Sequence, residues 1–174
     1  FVKPANMGSS VGVNKSHSRD ELLHHLEAAF RFDDHVLLEQ GIEAREIEVS
    51  VLGGFSPRAS VPGEIVPVDE FYSYEAKYLK EGSRLLIPAP LKDGEAREVR
   101  ELGIRSFQAL QLEGMARVDF LMDKESRKIW VNEPNTIPGF TQISMYPKLW
   151  KESGLSYPEL LENLIQLGRE RHER

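Results

Sequence analysis

The sequence predicts an α+β fold in which a mainly antiparallel sheet is flanked by helices. Residues 115–140 contain two runs in which apolar and polar residues alternate, joined by a charged turn at residues 123–128. Alternation with a period of two is typical of strands, and a short polar turn between two such runs predicts an antiparallel hairpin. Elsewhere, apolar residues recur every three or four positions, which is typical of helices that pack on one face.

The first forty residues predict two short strands and one helix. Residues 1–3 and 36–40 have the composition of strands. Ser18 and Glu21 have the spacing of a capping box, and they predict a helix over residues 18–32. The residues expected to form its apolar stripe are Leu22, Leu23, Leu26, Ala29 and Phe30.

Between the first strand and this helix lies a loop of small residues, Asn-Met-Gly-Ser-Ser-Val-Gly at positions 6–12. The backbone N–H groups of such a loop can surround an anion. The loop lacks the Lys-Ser/Thr pair of a phosphate-binding Walker loop, and by itself this short pattern favours an ordinary hairpin turn.

The rest of the chain predicts further strands and three helices. Strands are predicted at residues 45–52 and within residues 57–67, and helices at residues 94–112, 147–153 and 157–171. The last helix is expected to bury Leu160, Leu161, Leu164 and Leu167. Residues 69–83 are rich in tyrosine and charge, which indicates either a functional loop or a surface loop that packs on its own tyrosines.

Composition limits the classes of partner and compartment. The chain has 174 residues, a formal net charge of −6 and no cysteine. An acidic chain is a poor match for nucleic acid, and the lack of cysteine excludes disulfides and thiolate metal sites. The sequence contains no apolar run of membrane-spanning length, so we expect no membrane partner. Because it opens with Phe1 inside a predicted strand, we expect it to begin part-way through a larger protein.

The predicted hairpin places a group of polar side chains on one face. Arg117 and Asp119 share a face of the first strand, and Glu133 and Asn135 share a face of the second, with Trp130 and Pro134 expected on the opposite face. Two carboxylates and an amide oxygen are ligands that suit Mg²⁺ and leave positions for phosphates. The alternative is a surface ladder of charges that Arg117 or a lysine neutralises.

Five blocks of the sequence together resemble the D-alanine–D-alanine ligases of the ATP-grasp superfamily. The blocks are FVKPANMGSSVG, VLLEQGIEAREIEV, EFYSYEAKY, ARVDF and NEPNTIPGFTQISMYPKLW. They run in the order of the family and cover nearly the whole chain. The resemblance implies an ATP-grasp fold in which ATP lies between two sheets. It also implies that one D-alanine is phosphorylated to an acylphosphate, which the amine of a second D-alanine attacks during peptidoglycan precursor synthesis.

The resemblance also implies roles for individual residues. Those implied to bind ATP are Lys3 (phosphates), Ser9 and Ser10 (the loop over the phosphates), Glu39, Gln40 and Ile42 (adenine), Glu46 (ribose) and Lys77 (γ-phosphate). Those implied to hold two Mg²⁺ ions, with Mn²⁺ as a possible substitute, are Asp119, Glu133 and Asn135. Those implied to act on the substrates are Ser9 and Tyr78 (a hydrogen-bond network at the second substrate), Arg117 and the Gly139 N–H (the tetrahedral intermediate), and Ser144 and Met145 (the second carboxylate).

The same resemblance predicts the organisation of the protein. Residues 1–42 are expected to be the remaining part of the central ATP-grasp subdomain, and residues 43–174 the C-terminal domain. The family carries an N-terminal portion that binds the first D-alanine, so the isolated chain is expected to be inactive, and the complete enzyme to be a cytoplasmic homodimer. Pro134 departs from the small or aliphatic residue of the family. The alternatives are a D-alanine–D-lactate ligase, which Tyr78 disfavours, and a non-catalytic nucleotide-binding fragment.

Overall fold

The computed structural model describes residues 1–67 and 84–174. The chain divides into two compact units, residues 1–43 with 67–84 and residues 44–66 with 85–174. The predicted tyrosine-rich loop at residues 69–83 lies outside the described residues. The expected assignment of residues 1–42 and 43–174 to two ATP-grasp subdomains stays a prediction.

The described part of the first unit consists of two strands and one helix. Strand β1 (Val2–Pro4) pairs antiparallel with β2 (Val36–Leu38), and helix α1 (Arg19–Ala29) lies between them in the sequence. The predicted N-cap is confirmed, because the Ser18 hydroxyl accepts a hydrogen bond from the Glu21 N–H at 3.2 Å.

Helix α1 is shorter and less buried than its sequence pattern predicts. It ends at Ala29 and does not reach Phe32. Of the predicted apolar stripe only Ala29 is fully buried, whereas Leu23 and Phe30 are 52% and 55% exposed. Helical spacing therefore identified the helix, but within the described residues it did not identify a packed face.

The second unit is built on one sheet. Its strands are β3 (Ala44–Gly53), β4 (Arg58–Ala59), β5 (Gly63–Val66), β6 (Arg84–Leu86), β7 (Gly114–Asp123) and β8 (Ile129–Asn135). Its helices are α2 (Asp93–Ala109), α3 (Met145–Glu152) and α4 (Tyr157–His172). The strand order is β6-β5-β3-β7-β8, with β4 also paired to β3. The predicted α+β fold with a mainly antiparallel sheet is confirmed.

Two predicted elements have different bounds in the structure. The single strand expected within residues 57–67 is two short strands, because residues 61 and 62 leave the ladder. The Val61 N–H donates to Ser153 Oγ at 2.8 Å, and Pro62 has no N–H. The helix expected at residues 147–153 begins two residues earlier, at Met145.

Helix α2 covers one face of the sheet. The core there contains Ile47, Val49, Val51, Val118, Phe120 and Met122 from the long central strands, together with Val99 and Phe107 from α2. Gly103 lets the helix approach closely, since a Cβ at that position would lie 2.6 Å from Val49 Cγ1. Burial of this apolar face fixes which residues of β3 and β7 point to the opposite face.

The opposite face of the sheet carries a second core. Leu52, Tyr146, Trp150 and Leu160 form a second core, in which α3 and α4 pack over one end of the sheet. Leu160 is fully buried as predicted, but Leu161 is 40% exposed and does not face inward. Among the residues that the structure describes, no helix is both long enough and apolar enough to cross a membrane.

Candidate functional site

The face of the sheet opposite α2 carries a cluster of charged and amide side chains. In the antiparallel register Asp119 on β7 lies opposite Glu133 on β8, and Arg117 lies opposite Asn135. The sequence-predicted group is therefore brought together on one face. On the other side of β7, Glu48 of β3 also lies opposite Asp119. The carboxylates of Glu48, Asp119 and Glu133 therefore lie side by side on three neighbouring strands.

A β-bulge modifies the predicted hairpin. The register shifts between Asp119 and Phe120, so that Phe120 pairs with Val131 and Leu121 with Trp130. An extra residue in one strand reverses the alternation beyond it. Trp130 therefore lies on the face of Asp119, and its expected position on the opposite face is wrong. Pro134 pairs with Val118 and lies on the face that α2 covers, as predicted.

The guanidinium of Arg117 is the positive charge of this cluster. Its Nε donates to Asp119 Oδ1 and its Nη2 to Asp119 Oδ2, both at 2.7 Å. Its Nε also lies 3.2 Å from Glu48 Oε2. Burial alone lowers the pKa of Arg117, but the hydrogen bonds to Asp119 and the charges of Glu48, Asp119 and Glu133 outweigh burial and raise this pKa above its ordinary value.

Asn135 connects the two carboxylates of the predicted metal site. Its Nδ2 lies 3.1 Å from Asp119 Oδ2 and 3.4 Å from Glu133 Oε1. The three side chains thus converge on the region between the two strands. A half-turn of the amide would present Oδ1 to the same region, and the donor set would then be two carboxylates and one amide oxygen, which fits Mg²⁺.

A denser metal centre is absent from the described part of the chain. In residues 1–67 and 84–174, no three His, Cys, Asp or Glu side chains are grouped as they are around a bound metal ion. Asp119 also has both of its oxygens engaged by Arg117. A divalent cation at this site would therefore compete with Arg117 for Asp119 and would need ligands from outside the protein, such as phosphate oxygens.

The loop after β8 leads to the N-terminus of α3. The Ser144 hydroxyl accepts a hydrogen bond from the Thr141 N–H at 3.0 Å and lies 2.9 Å from Thr141 Oγ1. A Cβ at Gly139 would lie 3.1 Å from Ser144 Oγ, so the loop leaves little room for a side chain there. The first backbone N–H groups of α3, which begins at Met145, favour an anionic group.

In the first unit, two predicted nucleotide-binding residues contact each other. Lys3 Nζ lies 2.5 Å from Glu39 Oε2, and the two side chains are partly exposed. Ser9 and Ser10 have φ values of 55° and 60°. Left-handed backbone is unfavourable for serine, and such strain is concentrated in loops that bind ligands.

The remaining predicted residues divide into three groups. Gln40 and Ile42 follow β2 in the first unit, and Glu46 lies on β3 on the same face as Glu48. Lys77 and Tyr78 lie outside the described residues. Sequence reasoning missed Glu48, although the alternation Glu46-Ile47-Glu48 placed both carboxylates on one face of a strand. What the sequence did not reveal was that β3 pairs with β7 in a register that sets Glu48 beside Asp119.

Comparison with known proteins agrees with this fold. The α+β architecture with a mainly antiparallel sheet is shared with solved D-alanine–D-alanine ligases, which are ATP-grasp enzymes. The sequence model of the family described as "D-ala D-ala ligase C-terminus" matches residues 1–166. The chain therefore belongs to this family.

Two curated relatives illustrate the extent of the match. The chain is 58% identical to D-alanine–D-alanine ligase B of Clostridium tetani, over 97% of the chain and 47% of the relative. It is 59% identical to a D-alanine–D-alanine ligase of a Thermoanaerobacter species, over 99% of the chain and 48% of the relative. The chain thus spans about half the length of these relatives.

Solved structures of two related ligases also match this chain over nearly its whole length. The D-alanine–D-alanine ligase of Coxiella burnetii superposes with a TM-score of 0.88 at 39% identity, and the match covers 99% of this chain and 45% of that one. The VanG D-Ala:D-Ser ligase of Enterococcus faecalis superposes with a TM-score of 0.87 at 35% identity, covering 96% and 48% of the two chains.

Proposed function

We propose that this chain supplies the catalytic C-terminal portion of an ATP-dependent ligase that joins two D-alanines into D-alanyl-D-alanine for peptidoglycan synthesis. The observation that carries the proposal is the convergence of Asp119, Glu133 and Asn135 beside Arg117 on the face of the sheet opposite α2. The named activities of the relatives support the choice of substrates.

The proposed reaction has two steps. The γ-phosphoryl group of ATP passes to the carboxylate of one D-alanine, which gives ADP and an acylphosphate. The amine of the second D-alanine then attacks the acyl carbon, loses a proton, and expels phosphate as the peptide bond forms. Negative charge develops on phosphoryl and acyl oxygens in both steps, so the site must supply fixed positive groups and exclude water.

Each residue of the cluster has a proposed part in these steps. Asp119, Glu133 and Asn135 would hold Mg²⁺, which supplies neutralisation of phosphate charge when it is bound. Arg117 suits an oxyanion because its guanidinium stays charged and donates in a fixed geometry. The Gly139 N–H is proposed to assist Arg117 at the tetrahedral intermediate.

The second substrate is proposed to bind at the start of α3. Ser144 and the Met145 N–H lie where the helix N-terminus favours a carboxylate. Ser9 and Tyr78 are proposed to complete the hydrogen-bond network at this substrate; for Tyr78 the proposal rests on the sequence resemblance alone.

Further residues are proposed to bind the nucleotide. Lys3 would contact its phosphates and Ser9 and Ser10 would lie in the loop around them, which is supported by the left-handed backbone of the two serines. The residues proposed for the rest of the nucleotide are Glu39, Gln40 and Ile42 for adenine, Glu46 for ribose and Lys77 for the γ-phosphate.

The working enzyme is proposed to be longer than this chain. Since the relatives are about twice as long, we infer a further portion that binds the ammonium group of the first D-alanine. We also infer a homodimer that works in the cytoplasm, where ATP is available. Below, "the complete enzyme" means this chain joined to that further portion.

The test is product analysis with the complete enzyme. With ATP, Mg²⁺ and D-alanine we expect ADP and D-alanyl-D-alanine in equal amounts, measured by coupled assay and mass spectrometry. D-Serine and D-lactate should be offered as competing acceptors, because one structural neighbour is a D-Ala:D-Ser ligase. ATP binding without any ligated product would favour the alternative of a non-catalytic nucleotide-binding protein.

A further inference from the structure

Glu48 is a buried carboxylate to which the proposed function gives no role. It lies on β3 and is 5% exposed. Its cross-strand neighbours are Gly63 on one side and Asp119 on the other. Both flanking strands pair with β3 over this region, so the backbone of Glu48 is fixed within the sheet and its side chain is held beside the functional cluster.

Glu48 contacts Arg117. Glu48 Oε2 lies 3.2 Å from Arg117 Nε, while the same guanidinium forms two hydrogen bonds to Asp119. One arginine is thus held by carboxylates from two different strands. The side chains of Arg117 and Glu48 are 23% and 6% exposed, so little water is available to screen the attraction between them.

The proposed function gives different roles to the carboxylates of Asp119 and Glu48. Asp119 must offer oxygen atoms to a divalent cation, and those oxygens are the ones that Arg117 now occupies. A carboxylate oxygen that ligates a cation is a weaker acceptor for the arginine. Glu48 is on the far side of β7 from Glu133, and it has no such second task.

We propose that Glu48 is a positioning residue that keeps the Arg117 guanidinium in place when Asp119 turns from Arg117 to the metal ion. This inference rests on the proposed function, because it concerns the state in which Asp119 ligates the cation. Glu48 acts through Arg117 and touches neither substrate nor metal. Without it, Arg117 would be free to follow Asp119 or to swing toward the nucleotide phosphates.

A purely structural role would make a different prediction. If Glu48 only balanced a buried charge, its loss would destabilise the fold without changing the turnover of the molecules that remain folded. Glu64 provides a matched control on the same sheet: it is also buried, and its carboxylate receives two hydrogen bonds from Arg45 at 2.7 Å. It lies opposite Ile47, and therefore on the face that α2 covers.

The first experiment compares Glu48→Gln and Glu64→Gln in the complete enzyme. We expect Glu48→Gln to lower kcat on the order of 10–100-fold, with KM for ATP changed less than about threefold. Glu64→Gln should lower the melting temperature and leave kcat per folded molecule within about twofold. In an Arg117→Lys background, the effect of Glu48→Gln on kcat should shrink to about twofold, because the group that Glu48 positions has been replaced.

Two kinetic results would overturn the proposal. One is an unchanged kcat in folded Glu48→Gln; the other is a kcat loss as large in the Arg117→Lys background as in the parent. If Glu48→Gln does not fold, Glu48→Asp serves instead, because it keeps the charge but withdraws the carboxylate by one methylene. It should then show the same loss of kcat with the melting temperature nearly retained.

The second experiment does not depend on turnover. The enzyme is labelled with ¹⁵N at arginine Nε, and the Arg117 signal is assigned as the one lost in Arg117→Lys. On addition of Mg²⁺ and ADP, the Arg117 Nε–H should stay protected from solvent exchange in the parent and exchange at least about tenfold faster in Glu48→Gln. Equal protection in both proteins would contradict the proposal. If the parent makes no dipeptide, the proposed ligase function fails, but this measurement still decides whether Glu48 holds Arg117.

Discussion

At the residue scale, the balance of charge around Arg117 supports the proposal that the cluster binds a divalent cation. Glu48, Asp119 and Glu133 carry three negative charges on adjacent strands, and Arg117 carries one positive charge. Two carboxylates at a cross-strand separation of ~5 Å repel by about 3 kcal/mol at an effective dielectric constant of about 20. The net charge of these four side chains is −2, which a divalent cation would neutralise.

The first prediction tests the proposed metal ligand on β8, Glu133. In the complete enzyme, Glu133→Gln should lower D-alanine-dependent phosphate release by a factor on the order of 100 or more, because several kcal/mol of charge stabilisation are lost. The variant should also bind Mn²⁺ in the presence of ADP more weakly, as measured by electron paramagnetic resonance.

Glu101→Gln is the control for Glu133→Gln. Glu101 is exposed on α2, so its replacement should change neither phosphate release nor Mn²⁺ binding. Near-normal turnover and Mn²⁺ affinity in Glu133→Gln would contradict the metal site. Asp119 and Glu133 would then be interpreted as part of a surface charge ladder.

At the scale of elements, contacts with α2 hold the hairpin of β7 and β8 at one edge of the sheet. Arg127 follows β7 in the turn, and its Nε and Nη2 donate to the two oxygens of Glu95 at 2.8 and 2.7 Å. Glu95 also accepts the Lys92 N–H at the start of α2. One carboxylate therefore caps the helix and ties it to the turn that precedes the predicted metal ligands of β8.

The second prediction concerns the pH dependence of this contact. The hydrogen bonds from Arg127 and the Lys92 N–H lower the pKa of Glu95 from 4.5 to about 2. A lowered pKa in the folded state stabilises the protein above the unfolded pKa and stops doing so as the pH falls toward 2. Glu95→Gln should therefore cost up to about 1 kcal/mol at pH 7, a modest value since the pair is partly exposed.

Urea denaturation between pH 6 and pH 2.5 measures this effect. The difference in free energy of unfolding between the parent and Glu95→Gln should shrink steadily below about pH 4.5. Glu101→Gln, at an exposed position of the same helix, is the matched control. A constant difference for Glu95→Gln would refute the pKa assignment.

The third prediction concerns the packing of α2 on the sheet. A methyl group at Gly103 would lie 2.6 Å from Val49 Cγ1. Overpacking typically costs about 1–3 kcal/mol, whereas alanine gains up to about 1 kcal/mol over glycine in a helix. Gly103→Ala should therefore destabilise the chain by about 1–2 kcal/mol in thermal or urea denaturation.

Gly94 gives the matched control in the same helix. No heavy atom lies within 4 Å of a Cβ at Gly94, so Gly94→Ala should leave stability unchanged or raise it by up to about 1 kcal/mol. Destabilisation of similar size in both variants would show that close approach to Val49 is not the cause.

At the scale of the whole molecule, the two units differ in how much structure supports them. The second unit has a sheet with cores on both faces. The described part of the first unit has a two-stranded sheet and one helix, and Leu38 and Phe30 are exposed in it. Two-stranded sheets are marginally stable by themselves.

The fourth prediction follows from this difference. In hydrogen exchange on the isolated chain, the amides of β1 and β2 should exchange at least about a hundredfold faster than those of β3 and β7. Similar protection of all four strands would contradict the expectation. The same measurement on the complete enzyme serves as the comparison, in which we expect β1 and β2 to gain protection.

The fifth prediction concerns activity of the 174-residue chain alone. It should bind Mg-ATP weakly in isothermal titration and form no D-alanyl-D-alanine detectable by mass spectrometry. The reason is that the chain spans only about half the length of its relatives, and the proposed site for the first ammonium group lies in the other half. Dipeptide formation by the purified chain, unaided, would refute this expectation.

The sequence by itself determined the local features of this protein. Alternation and a short charged turn were sufficient to predict the hairpin and the pairing of Asp119 with Glu133. The Ser18 cap, the approximate bounds of the helices of the second unit and the resemblance to the ligase family were also accessible, because each depends on residues close together in the chain or on whole motifs. The resemblance, not the spacing, assigned roles to loop residues such as Ser144.

The tertiary structure decided which distant residues share the site. Strands β3 and β7 are about seventy residues apart in sequence, and only their register sets Glu48 beside Asp119 and Arg117. The bulge that turns Trp130 to the site face and the exposure of Leu23 likewise depend on partners that no local pattern specifies. Local chemistry fixes the spacing of side chains along one strand, whereas burial of the whole sheet under α2 fixes which strands meet and in which register.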